Sequence, residues 1–164
     1  MDRLWSPWRM PYIKNPKPGG CVFCEALAGQ DGPGNLIVHR AERGFVILNA
    51  FPYTSGHLMA LPYEHLPSLE ALDQPTRGEL IELTTEATRV LGRVYRPQGF
   101  NVGINLGAAA GAGLEQHIHI HVVPRWVGDT NFLSTVGETR LLPETLEDTW
   151  QKVHAAWPDR DHSG

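Results

Sequence analysis

The stretch His117-Ile118-His119-Ile120-His121-Val122-Val123 alternates imidazole rings with branched aliphatic side chains. Successive side chains of a β-strand point to opposite faces, so the pattern predicts a strand over 117–123 with its three histidines on one face. Ile118, Ile120 and Val122 are predicted to enter the core from the other face. A single strand histidine is usually a satisfied polar residue, but three in register are difficult to explain by packing alone. The stretch therefore predicts a strand of the main sheet and the chemical centre of the protein.

Two kinds of chemistry are compatible with these histidines. Residues two apart on a strand are separated by roughly 6 to 7 Å, and such histidines can still converge on one catalytic zinc ion. Alternatively, one histidine is a nucleophile that its neighbours orient. The loop 107–113 just before the strand contains only glycine and alanine, so its backbone N–H groups could closely approach an anion such as phosphate. Phosphate beside imidazole favours phosphoryl or nucleotidyl transfer, although spacing alone leaves both interpretations open.

Other apolar runs bounded by glycine, proline or asparagine predict four more strands, at 36–38, 45–48, 57–61 and 100–106. The clearest helical pattern lies between the third and fourth of them, with Asp73 as N-cap, Pro75 in the first turn and an end near Arg96. A second helix is predicted from Pro143 to Trp157. This order predicts an α+β fold, a five-stranded antiparallel sheet with a long helix and a C-terminal helix.

Composition limits the functions to be considered. The 164 residues suit one domain, predicted at 21–157, with an N-terminal aromatic arm at 1–20 and a flexible C-terminal tail at 158–164. The net charge is −4 and there is no run of lysine or arginine, so we expect no nucleic-acid partner. There is no signal peptide or apolar stretch of membrane-spanning length, so we expect a cytoplasmic protein without a membrane partner.

Both cysteines of the chain, Cys21 and Cys24, belong to one Cys-X-X-Cys motif. In a reducing compartment this motif is more typical of a metal-binding or redox pair than of a structural disulfide. Two thiolates do not complete a tetrahedral zinc site, so a metal would need two further ligands from elsewhere in the chain. Buried thiols without a metal are the alternative explanation.

The histidine stretch and the motifs around it resemble the histidine triad family. The resemblance extends from Cys21 to Trp150 and is greatest to the bacterial branch of diadenosine tetraphosphate phosphorylases and hydrolases. It implies a fold of the histidine triad type and a homodimer that extends the sheet across two subunits. Besides the histidine stretch, the motifs that carry it are Asn49–His57, Pro62–His65, Phe100–Gly107, His121–Trp126 and Gly128–Phe132.

The resemblance implies a role for each residue of the predicted active site. His119 would attack the α-phosphorus and form a covalent nucleotidyl-histidine intermediate, His121 would hydrogen-bond the phosphate, and His57 would support and orient these histidines. Many relatives have a glutamine or serine at the position of Gly113, so here backbone N–H groups or a water molecule would contact the phosphates instead. The predicted substrate-binding residues are Asn49 at the ribose, Asn105 beside the phosphates, the loop glycines Gly111 and Gly113, and Trp126 in the ligand pocket.

The resemblance also implies a structural zinc ion. Bacterial triad proteins with this cysteine pair use a histidine after the third strand and the first histidine of the signature as further ligands. The predicted ligands are therefore Cys21, Cys24, His65 and His117. With His117 on the metal, His119 remains free to act as the nucleophile.

We therefore expect a nucleotide hydrolase or transferase that cleaves dinucleoside polyphosphates at the α-phosphorus, with water or phosphate as acceptor. Its expected partners are a small-molecule nucleotide and a second copy of the chain. Three other functions are compatible with the residues. They are an adenosine phosphoramidase, a regulatory protein that binds AMP or another nucleotide without turnover, and a three-histidine metallohydrolase.

Overall fold

A computed structural model describes residues 20–129 and 143–158. The aromatic arm, apart from Gly20, and the C-terminal tail, apart from Pro158, lie outside the described residues. The strands are β1 (Ile37–Arg40), β2 (Gly44–Leu48), β3 (Leu58–Pro62), β4 (Gly99–Ile104) and β5 (Ile120–Arg125). The helices are α1 (Val22–Ala28), α2 (Gln74–Tyr95) and α3 (Leu146–Ala156), and a 3-10 turn spans Ala108–Ala110.

The five strands form one antiparallel sheet in the order β1-β2-β3-β5-β4. This confirms the predicted sheet. His121 lies on β5, opposite Met59 of β3 on one side and Gly103 of β4 on the other. The third histidine of the stretch is thus held in the sheet by ladders on both sides.

The first two histidines lie just before β5, because the strand begins at Ile120 and not at His117 as predicted. β3 ends at Pro62, which has no N–H group to continue the ladder. The N–H of Ile118 instead donates to the carbonyl oxygen of Leu66, at 2.8 Å. The predicted alternation survives, since Ile118, Ile120 and Val122 are buried in the main core.

Helices α2 and α3 cover one face of the sheet, and their apolar side chains complete the main core. The predicted cap of α2 is present, because the Asp73 side chain accepts the N–H of Thr76. The helix ends at Tyr95, and the next residue, Arg96, has a left-handed backbone conformation. Helix α3 starts later than predicted because Thr145, and not a residue near Pro143, caps it by accepting the N–H of Asp148. No helix of the described residues is long and apolar enough to cross a membrane.

Helix α1, which the sequence did not predict, packs on the other face of the sheet. Its Phe23 joins a second cluster of buried side chains from β1, β2 and β3. With seven residues it is too short for a recognisable helical stripe. It brings the cysteine motif to the histidine side of the sheet.

Candidate active site and metal centre

His119 is buried, with 7% of its surface exposed, and its ring has a defined tautomer. Its Nδ1 lies 2.9 Å from the carbonyl oxygen of His117. Because a carbonyl oxygen can only accept, Nδ1 must carry the proton and donate, which leaves the lone pair on Nε2. Burial lowers the pKa of His119, so the ring is neutral at neutral pH. A neutral imidazole with a free Nε2 is the form that a nucleophile requires.

His57 and His121 form a second pair whose tautomers are also defined. The backbone N–H of Tyr53 donates to Nδ1 of His57 at 3.1 Å, so the proton of this ring is on Nε2. That Nε2 lies 2.9 Å from Nδ1 of His121 and donates to it. In the neutral His121 ring, the remaining proton is then on Nε2. His121 therefore presents an N–H donor.

The nucleophile candidate and this donor are neighbours. The rings of His119 and His121 are 4.8 Å apart and almost perpendicular. Tyr53 packs against the supporting pair, with its ring 4.5 Å from that of His57 and 6.1 Å from that of His121. One phosphate group could contact both His119 and His121 in this arrangement.

His57 lies in the turn before β3, not within the third strand as predicted. Its N–H donates to Thr54 and its carbonyl oxygen accepts from Asn49, which closes the turn. The Asn49 side chain lies beside the His57 ring, with Nδ2 at 3.4 Å from Nδ1, and its Oδ1 accepts the N–H of Phe51. The Thr54 hydroxyl donates to the carbonyl oxygen of Pro124, at 2.9 Å, which attaches the turn to β5.

The other predicted substrate residues lie on the loops that flank β5. Asn105 is partly buried after β4, Gly113 is exposed ahead of the histidines, and Trp126 is partly buried immediately after β5. Gly111 has a φ of 85°, and its N–H donates to Ala108 within the loop, so in this conformation that group is already used. Hydrogen bonds and ring contacts bring together Asn49, His57, His119 and His121. The loop residues take no part in these particular contacts.

The four predicted metal ligands meet in one cluster. One ligand atom from each of Cys21, Cys24, His65 and His117 lies within 4.8 Å of the others. Nδ1 of His117 is 3.4 Å from Sγ of Cys21 and 3.7 Å from Sγ of Cys24, whose Sγ is 3.4 Å from Nδ1 of His65. Ligands of a tetrahedral zinc ion, with bonds of roughly 2.3 Å to sulfur and 2.0 Å to nitrogen, lie about 3.5 Å apart. The spacing suits such an ion.

The protonation chemistry of the cluster also suits a cation. Nε2 of His117 donates to the carbonyl oxygen of Pro62, at 2.9 Å, so its lone pair is on Nδ1, facing the sulfurs. Burial lowers the pKa of His117, which keeps the ring neutral. Burial and the neighbouring Cys21 raise the pKa of the Cys24 thiol. Two adjacent thiolates are therefore unfavourable here without a positive charge, and a metal ion would supply one.

Phe23 connects the cysteine cluster to the active site, and the sequence did not indicate this role. Its ring centroid lies 5.6 Å from that of His117 and 5.3 Å from that of His119. The only signal in the sequence was its position between the two cysteines. The same residue thus contacts a predicted metal ligand and the candidate nucleophile.

Comparisons with known proteins place the chain in a family. The HIT domain matches residues 33–127. AP-4-A phosphorylase of Mycobacterium tuberculosis is 40% identical over 166 aligned positions, which cover 96% of this chain and 85% of that protein. Bis(5'-nucleosyl)-tetraphosphatase [asymmetrical] of Schizosaccharomyces pombe is 26% identical over 96 positions, covering 58% of this chain and 52% of that protein.

A solved structure agrees with the sequence comparisons. A Zn-bound histidine triad family protein from Mycobacterium smegmatis superposes with a TM-score of 0.67 at 28% identity, covering 84% of this chain and 93% of that one. The matched HIT domain contains the turn with His57 and the whole histidine stretch. The chain is therefore a member of the HIT, or histidine triad, family.

Proposed function

We propose that this protein cleaves dinucleoside polyphosphates, such as diadenosine tetraphosphate, at the α-phosphorus through a nucleotidyl intermediate on His119. One observation carries the proposal: the Nδ1 proton of His119 is donated to the carbonyl oxygen of His117, so the Nε2 lone pair is free beside the N–H donor of His121. The two relatives named for cleavage of such nucleotides support the choice of substrate.

In the first step, Nε2 of His119 forms a bond to the α-phosphorus while the bond from phosphorus to the bridging oxygen breaks. The leaving nucleotide departs with that electron pair. The His119 ring becomes positively charged, and the carbonyl oxygen of His117 stabilises the charge through Nδ1–H. His121 donates its Nε2–H to an oxygen of the attacked phosphate, where negative charge develops.

In the second step, an acceptor oxygen attacks the phosphorus and the bond to His119 breaks, which restores the free ring. Water as acceptor loses a proton to solvent and releases AMP, whereas inorganic phosphate releases ADP. We favour phosphate, because the relative that aligns with 96% of this chain is named a phosphorylase. Diadenosine tetraphosphate should then give ADP plus ATP when phosphate is present. AMP plus ATP in its presence would indicate hydrolysis instead.

The nucleophile assignment is tested with His119→Ala, and with His154→Gln as the control. His154 is exposed on α3 and hydrogen-bonds the carbonyl oxygen of Val38, so its loss should leave turnover unchanged. His119→Ala should abolish turnover and the trapping of labelled nucleotide on the protein. Turnover that survives in His119→Ala contradicts the proposal.

The same assays separate the alternatives. Faster cleavage of adenosine phosphoramidate than of the dinucleotide would favour a phosphoramidase. Tight AMP binding without cleavage of any nucleotide would favour a regulatory protein. Loss of the phosphorus chemistry on chelation, with the fold intact, would favour a metallohydrolase.

We further propose that the cluster of Cys21, Cys24, His65 and His117 holds a structural zinc ion. The tetrahedral spacing of the ligand atoms supports this, as does the Zn-bound relative. Zinc would fill its coordination with these four ligands and leave Nε2 of His119 free. The cysteines could bind metal in a cytoplasmic protein, where thiols stay reduced. About one zinc per chain is expected in protein purified without a histidine tag, and a trace amount would contradict the proposal.

We also propose a homodimer in which the sheet continues across β4. The opposite edge of the sheet, β1, is covered by helix α3. The Trp150 indole N–H donates to the carbonyl oxygen of Ile37, and His154 donates to that of Val38. At the β4 edge, Val102 and Leu106 are 51% and 45% exposed. An apolar strand edge of this kind favours pairing with another strand.

A further inference from the structure

The turn that carries His57 packs directly on the end of helix α2. Gly56, immediately before His57, has a φ of 78°, a conformation that favours glycine. A Cβ atom at this position would lie 2.9 Å from Cδ2 of Leu91 and 3.0 Å from Cε2 of Tyr95. The backbone at Gly56 is therefore in close contact with the Tyr95 ring, and the position of that ring constrains the turn.

The Tyr95 ring is itself held by the C-terminal region. Its hydroxyl donates to Oε1 of Glu144, which also accepts the Thr149 hydroxyl at 2.9 Å. Lys152 contacts the other carboxylate oxygen. Burial raises the pKa of Tyr95, so the phenol remains a donor. Burial acts in the opposite direction on Glu144, but hydrogen bonds from Lys152, Tyr95 and Thr149 outweigh it and lower the pKa, so the carboxylate remains an acceptor.

The His57 turn and the C-terminal region also line a common cavity. It has a volume of about 230 Å³, and Ser55, Gly56, His57, Glu144 and Thr149 are among its lining residues. The Ser55 hydroxyl oxygen is buried and has no hydrogen-bond partner among the described residues. The cavity is thus lined by the same two segments that Tyr95 connects, the His57 turn and the C-terminal region.

We propose that Tyr95 and Glu144 are positioning residues, which hold the His57 turn so that His57 donates to His121 in the geometry the reaction needs. The chain of contacts runs from Glu144 to Tyr95, then to the Gly56 backbone and His57. Glu144 lies outside the matched HIT domain, which ends at residue 127. The C-terminal region of this chain would thus support the active site. The kinetic consequences rest on the proposed function.

The test uses two full-length variants that keep the side-chain shapes. Tyr95→Phe removes the hydrogen bond, and Glu144→Gln keeps an acceptor but removes the charge that strengthens the bond. Each should lower kcat about tenfold and change KM less than about twofold, because His121 acts on charge that develops in the transition state. The double variant should be no slower than the slower single variant, since both act on the hydrogen bond between Tyr95 and Glu144. Trp150→Phe is the matched control. This variant loses the hydrogen bond from Trp150 to the carbonyl oxygen of Ile37, at the β1 edge of the sheet, and should keep the kcat of the unmodified protein.

A readout that needs no substrate separates this inference from the proposed function. In the unmodified protein, NMR should detect the proton shared between Nε2 of His57 and Nδ1 of His121 as a distinct resonance. That resonance should shift or broaden in Tyr95→Phe and in Glu144→Gln, but not in Trp150→Phe. If both variants lose thermal stability like the control but keep the resonance and kcat, the positioning role is wrong. If the unmodified protein cleaves no dinucleotide, the proposed function fails, and the resonance still tests the positioning.

Discussion

Three histidines of the site, His57, His117 and His119, have their tautomers set by backbone groups. Carbonyl oxygens accept from His117 and His119, whereas an N–H group donates to His57. A backbone group cannot change between donor and acceptor, so the contact with it fixes which nitrogen of each of these three rings carries the proton. The three rings can therefore bind metal, attack or donate without being charged.

Phe23 should be important for stability as well as for the site, because it is 5% exposed and contacts both His117 and His119. Phe23→Ala is expected to lower the free energy of unfolding by about 3 kcal/mol, the loss typical of a large buried side chain. Phe23→Leu should lose less. Val22→Ala changes an exposed neighbour on the same helix and should have little effect. Urea denaturation of the three variants measures this, and equal small losses would contradict the prediction.

At the scale of elements, α1 is the segment that most needs outside support. Seven residues cannot maintain a helix in water by themselves. Besides the packing of Phe23, contacts at both ends hold α1. The cluster of Cys21, Cys24, His65 and His117 lies at its start, and near its end Arg40 of β1 donates to the carbonyl oxygen of Leu27. Arg40 also forms a bidentate pair with Asp31, with both hydrogen bonds at 2.7 Å.

If the cluster holds zinc as proposed, removal of the metal should loosen α1 before the sheet. After chelation, the amide of Glu25, which donates to the carbonyl oxygen of Cys21 in the first turn, should exchange its hydrogen faster. Amides of β2 and β3 should keep their protection. Hydrogen exchange with and without chelator measures both regions, and unchanged protection of Glu25 would mean that α1 does not depend on the metal.

The Asp31–Arg40 pair should make stability depend on pH. The hydrogen bond from Arg40 lowers the pKa of Asp31 below its ordinary value of 3.8. The stabilisation is therefore fully present above that value and is lost as the pH falls through the lower pKa of the folded protein. Because the Asp31 side chain is 47% exposed, Asp31→Asn should cost less than about 1 kcal/mol at pH 7.

The control for this prediction is Glu42→Gln, whose carboxylate is more exposed and contacts Arg43 at 3.4 Å. Thermal unfolding is measured from pH 7 to pH 2. Asp31→Asn should unfold at a lower temperature than the unmodified protein at neutral pH, and this difference should disappear in acid. The control should follow the unmodified protein throughout. If Asp31→Asn is destabilised by the same amount at every pH, the loss does not come from the ionised Asp31–Arg40 pair.

At the scale of the whole molecule, the two edges of the sheet differ. Side chains of α3 cover the backbone of β1, while β4 presents exposed apolar side chains. Val102→Lys should therefore convert the proposed dimer to a monomer, because a charge on the joining strand opposes pairing. Ile81→Lys, on the exposed face of α2, should remain dimeric. Light scattering at matched concentrations distinguishes them, and a dimer that persists in Val102→Lys contradicts pairing at β4.

Much of this architecture was predictable because it depends on local rules. Strand alternation placed Ile118, Ile120 and Val122 in the core, and the capping chemistry of Asp73 set the start of α2. Element ends were less predictable, because they depend on partners distant in sequence. β5 starts late because its partner strand ends at a proline, a fact about residue 62 that no local pattern near His117 contains.

The sheet, the long helix and the residue types of the site follow from the amino-acid sequence alone, since alternation, capping and motif spacing are local properties of the chain. Which ring nitrogen carries the proton follows from the folded structure, because the deciding backbone groups belong to other turns and strands. The same holds for the contact of Phe23 with His119, and for the contacts of Tyr95 with Glu144 and with the Gly56 backbone. Such contacts join residues far apart in the sequence, as Phe23 and His119 are, and folding alone brings them together.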